Sequence, residues 1–124
     1  MRYEIDQQYQ EVARDIVSKL NFCHVDISRV IIMRSSGSKS RRTLARIHGI
    51  SKIMQKAMQT RAFYAIELIS ENFDKLSDDE KIKTVIHELM HIPHCFGGGF
   101  RNHRPYVTGK TVDKAFKEYQ RLLH

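Results

Sequence analysis

The sequence predicts an α+β fold in which a small β-sheet packs with N-terminal, central and C-terminal helices. Segments near both ends of the chain, and one around residue 85, carry apolar residues at helical spacing. Between them, "RVIIM" and "RAFYAIELI" are rich in the β-branched and aromatic residues typical of strands. The chain has 124 residues, of which 41% are hydrophobic and 28% charged. This is enough for one hydrophobic core, so we expect a single domain over residues 1–124.

The N-terminal segment, Tyr3 to Leu20, is predicted to be an amphipathic helix. Its apolar side chains recur every three or four residues; they are Ile5, Tyr9, Val12, Ala13, Ile16, Val17 and Leu20. Charged residues interrupt the segment, which therefore does not look like a secretory signal. No apolar run approaches the ~18 residues that a membrane span needs. We expect a soluble, cytoplasmic protein that does not contact a membrane.

The middle of the chain predicts strands. Val30 to Met33 is a short β-branched run, and the serine, glycine and basic residues after it predict an exposed hairpin-type loop. "TLARIHG" is compatible with a strand, whereas Ile50 to Met58 follow helical spacing. Arg61 to Ile69 is apolar on both faces, which predicts a strand in the interior of the sheet.

A second helix is predicted to begin after Ser77. The segment "SDDE" is a capping box, in which the serine and the glutamate satisfy free backbone amides and the acids favour the positive helix end. Pro93 ends the helix because it disfavours helical geometry at Ile92 and lacks an N–H. The apolar face of this helix comprises Ile82, Val85, Ile86, Leu89 and Met90. A last amphipathic helix is predicted over Lys110 to Leu123.

His87 and His91 lie one turn apart on the second helix, with Glu88 next to His87. Two imidazoles at this spacing share one helix face and can bind the same metal ion. A glutamate beside them can act as general base toward a metal-activated water. This His-Glu-x-x-His arrangement predicts one Zn²⁺ per chain and the hydrolysis of peptide bonds in a protein or peptide substrate.

A catalytic zinc ion needs a third protein ligand and an open position for water. On a straight helix His94 would lie about 10 Å along the axis from His87, whereas nitrogens on one zinc ion are about 3 to 3.5 Å apart. His94 therefore qualifies only if the chain turns back at Pro93.

His103 has more chain in which to return. It lies twelve residues past His91, and the glycines of "FGGGF" permit the tight conformations of a returning loop. Asp113 and Glu118 on the last helix are carboxylate alternatives. We expect His103 to be the third ligand, and the other candidates stay open.

The motif "HELMH", followed by a proline, a glycine-rich turn and a later histidine, resembles the zincin-type metallopeptidases of the SprT-like group. Within that group it is most similar to small stand-alone predicted metallopeptidases of archaea and phages. The resemblance extends from "YAIELISENFDKLSDDEKIKTVIHELMHIP" to about Val107. It implies a zincin-like domain in which His87, His91 and His103 match the ligand positions and Glu88 the catalytic one.

The chain departs from the SprT-like pattern in two ways. Arg104 follows the third histidine where these proteins usually have glycine, and two cysteines cannot build the four-cysteine zinc ribbon of longer members.

Near that histidine, Tyr106, Arg101 and Arg104 are candidate donors to the developing oxyanion, and we select Tyr106. The Arg61 to Ile69 strand is predicted to offer backbone hydrogen bonds to an extended substrate.

The net charge of +7 is unevenly distributed, because nine basic residues and no acid lie between Asp26 and Glu67. This basic block, from Arg29 to Arg61, predicts weak, non-specific contact with DNA or RNA. It also supports an alternative function, a nucleic-acid-binding or regulatory protein with a structural zinc site. Such a site needs four protein ligands, and His94 or Cys95 would be the fourth. Cys95 is otherwise interpreted as a small buried residue at the helix end.

Overall fold

The computed structural model describes residues 1–101 and 103–123, with the backbone alone at residue 104. Its sheet consists of β1 (Arg2–Ile5), β2 (Val30–Ser36), β3 (Ala45–Gly49) and β4 (Tyr64–Ile69), in the order β1-β2-β4-β3. The central strands β2 and β4 are parallel, and each edge strand is antiparallel to its neighbour. The predicted α+β class is confirmed.

The helices are α1 (Gln7–Lys19), α2 (Lys52–Met58), α3 (Ser70–Phe73), α4 (Asp78–Met90), α5 (His103–Tyr106) and α6 (Gly109–Leu123). The apolar faces of α1, α4 and α6 form one core with the inner residues of β2 and β4. None of the described helices combines the length and the apolar character that crossing a bilayer requires. The cytoplasmic setting and the domain bounds 1–124 stay predictions.

The N-terminal helix begins later than the sequence pattern suggested. Residues Arg2–Ile5 form β1, so the helical prediction for Tyr3 to Ile5 was wrong. The boundary is set by Asp6, whose Oδ1 accepts a hydrogen bond from the Tyr9 amide at 2.9 Å and caps α1. The Asp6 amide in turn donates to the carbonyl of Ile32 on β2, also at 2.9 Å. Pairing with β2 therefore overrides the local helical spacing.

The predicted hairpin after β2 was also wrong, because β4 lies between β2 and β3. The connecting loop instead packs on the end of β4. The Asn72 side-chain amide, through Nδ2, donates to the backbone carbonyls of Ser40 and Thr43, at 3.0 and 2.8 Å. The Ile69 amide donates to the Leu44 carbonyl at 3.0 Å. Of the strand predicted over Arg61 to Ile69, Tyr64–Ile69 forms β4, and its interior position is confirmed because β4 is paired on both sides.

The helix that carries the histidine motif is bounded as predicted. Ser77 caps α4, its Oγ accepting a hydrogen bond from the Glu80 amide at 3.2 Å. The helix ends at Met90, with His91 as the C-terminal cap. Burial of Val85, Ile86 and Leu89 fixes which face of α4 meets the core. The last predicted helix is confirmed as α6.

Candidate metal centre

Helix α4 brings the first two histidines of the motif together. The Nε2 atoms of His87 and His91 are 3.2 Å apart, and their ring centroids are separated by 4.9 Å. Two nitrogens that bind one zinc ion at ~2.0 Å are separated by about this distance. One-turn spacing on a buried helix thus places both imidazoles as a shared metal requires.

His103 joins this pair from the first residue of α5. Its ring centroid lies 5.5 Å from that of His87 and 4.6 Å from that of His91. One ligand atom from each of the three side chains lies within 4.8 Å of the others. Within residues 1–101 and 103–123 these three histidines are the group of histidine, cysteine or acidic side chains that converges closely enough to hold a metal ion.

The alternative third ligands lie elsewhere among the described residues. His94 stacks on His24, with 4.4 Å between ring centroids. Asp113 is paired with Lys83 at 3.4 Å, and Glu118 is paired with Arg121. The geometry therefore favours His103, although the assignment of all three ligands stays a prediction.

Hydrogen bonds fix the orientation of the His91 ring. Its Nδ1 lies 2.7 Å from the carbonyl oxygen of Arg101, and a carbonyl can only accept, so Nδ1 carries the proton. The unprotonated Nε2 then points to the other imidazoles. The Arg101 amide donates to the His91 carbonyl, also at 2.7 Å. Such outer hydrogen bonds commonly orient metal-binding histidines.

Burial sets the protonation of the groups around the centre. Burial, with the neighbouring His91 and His103, lowers the pKa of His87 to about 4. Burial likewise lowers the pKa of His91. Glu88 is 8% exposed, and burial raises its pKa to about 7. Near neutral pH the His87 and His91 imidazoles are therefore uncharged and ready to bind a cation, and a carboxyl group able to exchange protons lies beside them.

Two cavities, of about 550 and 570 Å³, meet at the centre and share Ala45, His87 and Glu88. One extends between α4 and the start of α6, as far as Val112. The other extends along β3 to Phe100. Together they form a cleft that follows β3, which is an edge strand.

The position of β3 corrects the predicted substrate strand. The strand within the predicted Arg61 to Ile69 segment, β4, cannot pair with a substrate, because β2 and β3 already occupy both of its sides. The contribution of β3 and of Phe100 to the cleft was missed. "TLARIHG" was recognised as a strand, but its place at the edge depends on strand order, which local spacing does not encode.

Other predicted residues have different surroundings. Tyr106 is 45% exposed, and the Arg101 guanidinium carbon lies 4.0 Å from the centre of its ring. The Arg104 side chain lies outside the described residues. Cys95 is exposed, so its interpretation as a buried residue was wrong.

An α+β fold with a buried His-Glu-x-x-His helix and a third converging histidine is an arrangement typical of metallopeptidases. Residues 1–122 match the family described as "Putative phage metallopeptidase", and the chain belongs to that family. Comparisons with curated proteins and with solved structures gave no match. The metallopeptidase family expected from the sequence is thus confirmed, while its SprT-like and zincin assignments stay predictions.

Proposed function

We propose that this protein is a zinc-dependent peptidase in which His87, His91 and His103 hold one Zn²⁺ and Glu88 is the general base. The observation that carries this proposal is the convergence of three imidazoles next to a buried glutamate. Peptides or proteins are the substrates expected of the family. The likeness to SprT-like zincins supports the same assignment.

The donor set fits a catalytic zinc ion better than a structural one. Imidazole nitrogen is a common zinc ligand, and catalytic sites typically have three protein ligands with the fourth position open. The converging group in the described residues contains three side chains. The alternative function would need His94 or Cys95 as a fourth ligand, but neither belongs to the converging group, and His94 stacks on His24. We therefore favour hydrolysis over a purely structural metal site.

Glu88 provides the proton transfers of the proposed reaction. When bound, zinc lowers the pKa of a coordinated water to about 7 and polarises the carbonyl that this water attacks. Glu88 accepts the proton of the attacking water and then donates it to the leaving amine. Burial supports this role, because it raises the pKa of Glu88 to about 7, where the side chain can both accept and release a proton. Tyr106 stays our candidate donor to the negative charge that develops on the carbonyl oxygen.

The edge strand β3 supplies the proposed binding surface for the substrate backbone. It borders both cavities that meet at Glu88. An extended peptide that adds to a sheet edge gains main-chain hydrogen bonds, while neighbouring pockets take alternate side chains. We infer that the substrate lies along Ala45–Gly49 with its scissile bond beside Glu88.

The substitution Glu88→Gln tests the enzymatic proposal. It keeps the side-chain shape but removes the proton acceptor, so peptide cleavage should fall about 10²- to 10⁴-fold while zinc stays bound. The matched control is Glu118→Gln, which changes an exposed glutamate on α6. Cleavage of a peptide library and zinc content measured by mass spectrometry are the readouts. Full cleavage by Glu88→Gln would exclude the proposed mechanism.

The third ligand is tested by comparing two histidine variants. His103→Ala should weaken zinc binding strongly, because it leaves two protein ligands. His94→Ala should retain the wild-type affinity, since His94 stacks away from the centre. Chelator competition measures both. Equal zinc affinity of His103→Ala and the wild type would show that another residue completes the site.

We further propose that the basic block contacts DNA or RNA weakly and without sequence preference. Three of its nine members are engaged within the fold. Arg34 pairs with Asp6 and Asp74, and the Arg29 side chain donates to the Thr60 hydroxyl and to backbone carbonyls. Arg61 lies 3.6 Å from Asp26. The remaining six, all exposed, are Lys39, Arg41, Arg42, Arg46, Lys52 and Lys56. These six carry the proposed contact.

The nucleic-acid proposal is tested by cleavage of a basic, DNA-binding protein with and without DNA across a salt series. DNA should accelerate cleavage at low salt, because neutralised phosphates release counterions. Replacing Arg41, Arg42 and Arg46 together should remove the acceleration and leave zinc content unchanged. Equal rates in all conditions would mean that the basic block is an ordinary solvated surface.

A further inference from the structure

Tyr64 lies at the centre of the core, yet its hydroxyl is bonded to the glycine-rich loop that leads to His103. The residue is 0% exposed and is the first residue of β4. Its hydroxyl donates to the Gly99 carbonyl and accepts from the Gly98 amide, each at 2.9 Å. A phenylalanine would fill the same space. The hydroxyl is thus explained by the loop it binds rather than by packing.

Aromatic contacts extend this connection along the loop. The Tyr64 ring meets Phe96 and Phe100 edge-on, with centroids 5.1 and 5.9 Å apart. Gly49 makes room for this arrangement, because a Cβ there would lie 3.1 Å from the Tyr64 ring and 3.3 Å from the Phe100 ring. The loop is therefore attached to the sheet on both sides of its glycines.

Gln55 holds the opposite side of the same loop. From α2, its Nε2 donates to the Gly97 carbonyl at 3.1 Å and to the Ile50 carbonyl at 3.0 Å. A few residues further along the chain, the Arg101 amide donates to the His91 carbonyl. The loop thus reaches α4 while held by β4 on one side and by α2 on the other.

We propose that Tyr64 and Gln55 form a loop clamp whose role is to position His103 against His87 and His91. This inference rests on the proposed function, since it gives the clamp the task of completing the zinc site. The chain must return from the end of α4 to the same face of that helix. Glycines permit many backbone conformations, so they do not by themselves fix the path of the loop. The clamp selects the conformation in which the Arg101 amide donates to the His91 carbonyl and His103 lies against His87 and His91.

The test is the substitution Tyr64→Phe, which removes the hydroxyl and keeps the ring. In the metal-free chain, hydrogen exchange at the Arg101 amide reports whether the loop is docked on His91. Losing two hydrogen bonds should reduce its protection about 30-fold. The zinc dissociation constant, measured by chelator competition, should rise about 10- to 100-fold, as for other outer contacts of metal sites.

Tyr119→Phe is the matched control. Tyr119 is 4% exposed, and its hydroxyl donates to Asp15 at 2.6 Å, away from the loop. It should lower thermal stability to a similar extent, but leave zinc affinity and Arg101 protection at wild-type values. Gln55→Ala, on the exposed helix α2, releases the other side of the loop without altering the core. It should reproduce both effects of Tyr64→Phe, and it carries the test if that variant does not fold.

The outcomes separate the clamp from the proposed function. Wild-type Arg101 protection or wild-type zinc affinity in both clamp variants would overturn the positioning role. If the wild-type chain binds no zinc while Arg101 protection still falls in the variants, the zinc-peptidase proposal fails. Docking of the loop by Tyr64 and Gln55 would then still stand, with a purpose other than metal binding.

Discussion

Replacing Gly98 by alanine is expected to disrupt the candidate centre from a distance. Gly98 has a φ angle of +104°, a backbone conformation that residues other than glycine rarely adopt. An added Cβ would lie 2.4 Å from Gln55 Nε2 and 2.8 Å from the Ile50 carbonyl oxygen. The Gln55 side chain can move aside, but the backbone oxygen cannot do so cheaply. The loop must therefore shift.

The cost of Gly98→Ala can be estimated from these contacts. The backbone conformation costs about 1–3 kcal/mol, and displacing Gln55 forfeits two hydrogen bonds of about 1 kcal/mol each. The total of roughly 3–5 kcal/mol exceeds what a surface loop usually gains by docking, so the loop should undock rather than the whole domain unfold. Zinc affinity should then fall about 100-fold or more. The free energy of unfolding of the metal-free chain, measured with urea, should fall by less than this local cost.

The neighbouring glycine provides the control. A Cβ at Gly99 would meet nothing within 4 Å, so Gly99→Ala should change stability and zinc affinity by less than about 0.5 kcal/mol. Chelator competition and urea unfolding are measured on both variants. Equal zinc affinities for Gly98→Ala and Gly99→Ala would refute the reasoning, because the two substitutions differ mainly in the clash and the positive φ.

Two further predictions concern buried carboxyl groups. Burial opposes ionisation of Glu67, yet hydrogen bonds from Ser35 and His48 lower its pKa overall. Glu67→Gln should therefore cost about 1–2 kcal/mol near neutral pH, and urea unfolding should show this difference shrinking as pH falls below the ordinary value of 4.5. For Glu88 the pH dependence of stability has the opposite sign. Burial raises its pKa to about 7, so ionisation in the folded protein costs stability as pH rises from 4.5. The metal-free Glu88→Gln chain should be more stable than the wild type at about pH 8, by up to roughly 3 kcal/mol, and an unchanged midpoint would contradict this.

The part of the centre that could be predicted from sequence is the part encoded locally. The cap at Ser77, the apolar face of α4 and Pro93 lie within one short stretch, and each acts on its own neighbours. They define the helix, and the helix defines the relation of His87 to His91. Interactions between residues close in sequence are therefore sufficient to predict this part of the centre.

What could not be predicted depends on contacts distant in sequence. The position of β4 between β2 and β3 follows from pairing between Val30 and Tyr64 and their successors, which no local period encodes. β1 was missed because Tyr3 and Ile5 fit a helical stripe equally well, and Asp6 decides between the two. The glycine-rich loop before His103 is bonded by the Tyr64 hydroxyl, and in sequence Tyr64 looks like any other buried aromatic residue.

The open edge of β3 also bears on whether two copies of the chain can pair through their sheets. A strand that is free to receive a substrate exposes backbone donors and acceptors that another copy of the chain can pair with equally well. β3 has only five residues, and the exposed Arg46 side chain near its middle brings like charges together when two copies approach. Short length and a charged side chain are common protections of such edges. A polypeptide with no positive charge facing Arg46 is not repelled in this way, so a side chain that disfavours pairing of two copies would also discriminate among the polypeptides that enter the cleft.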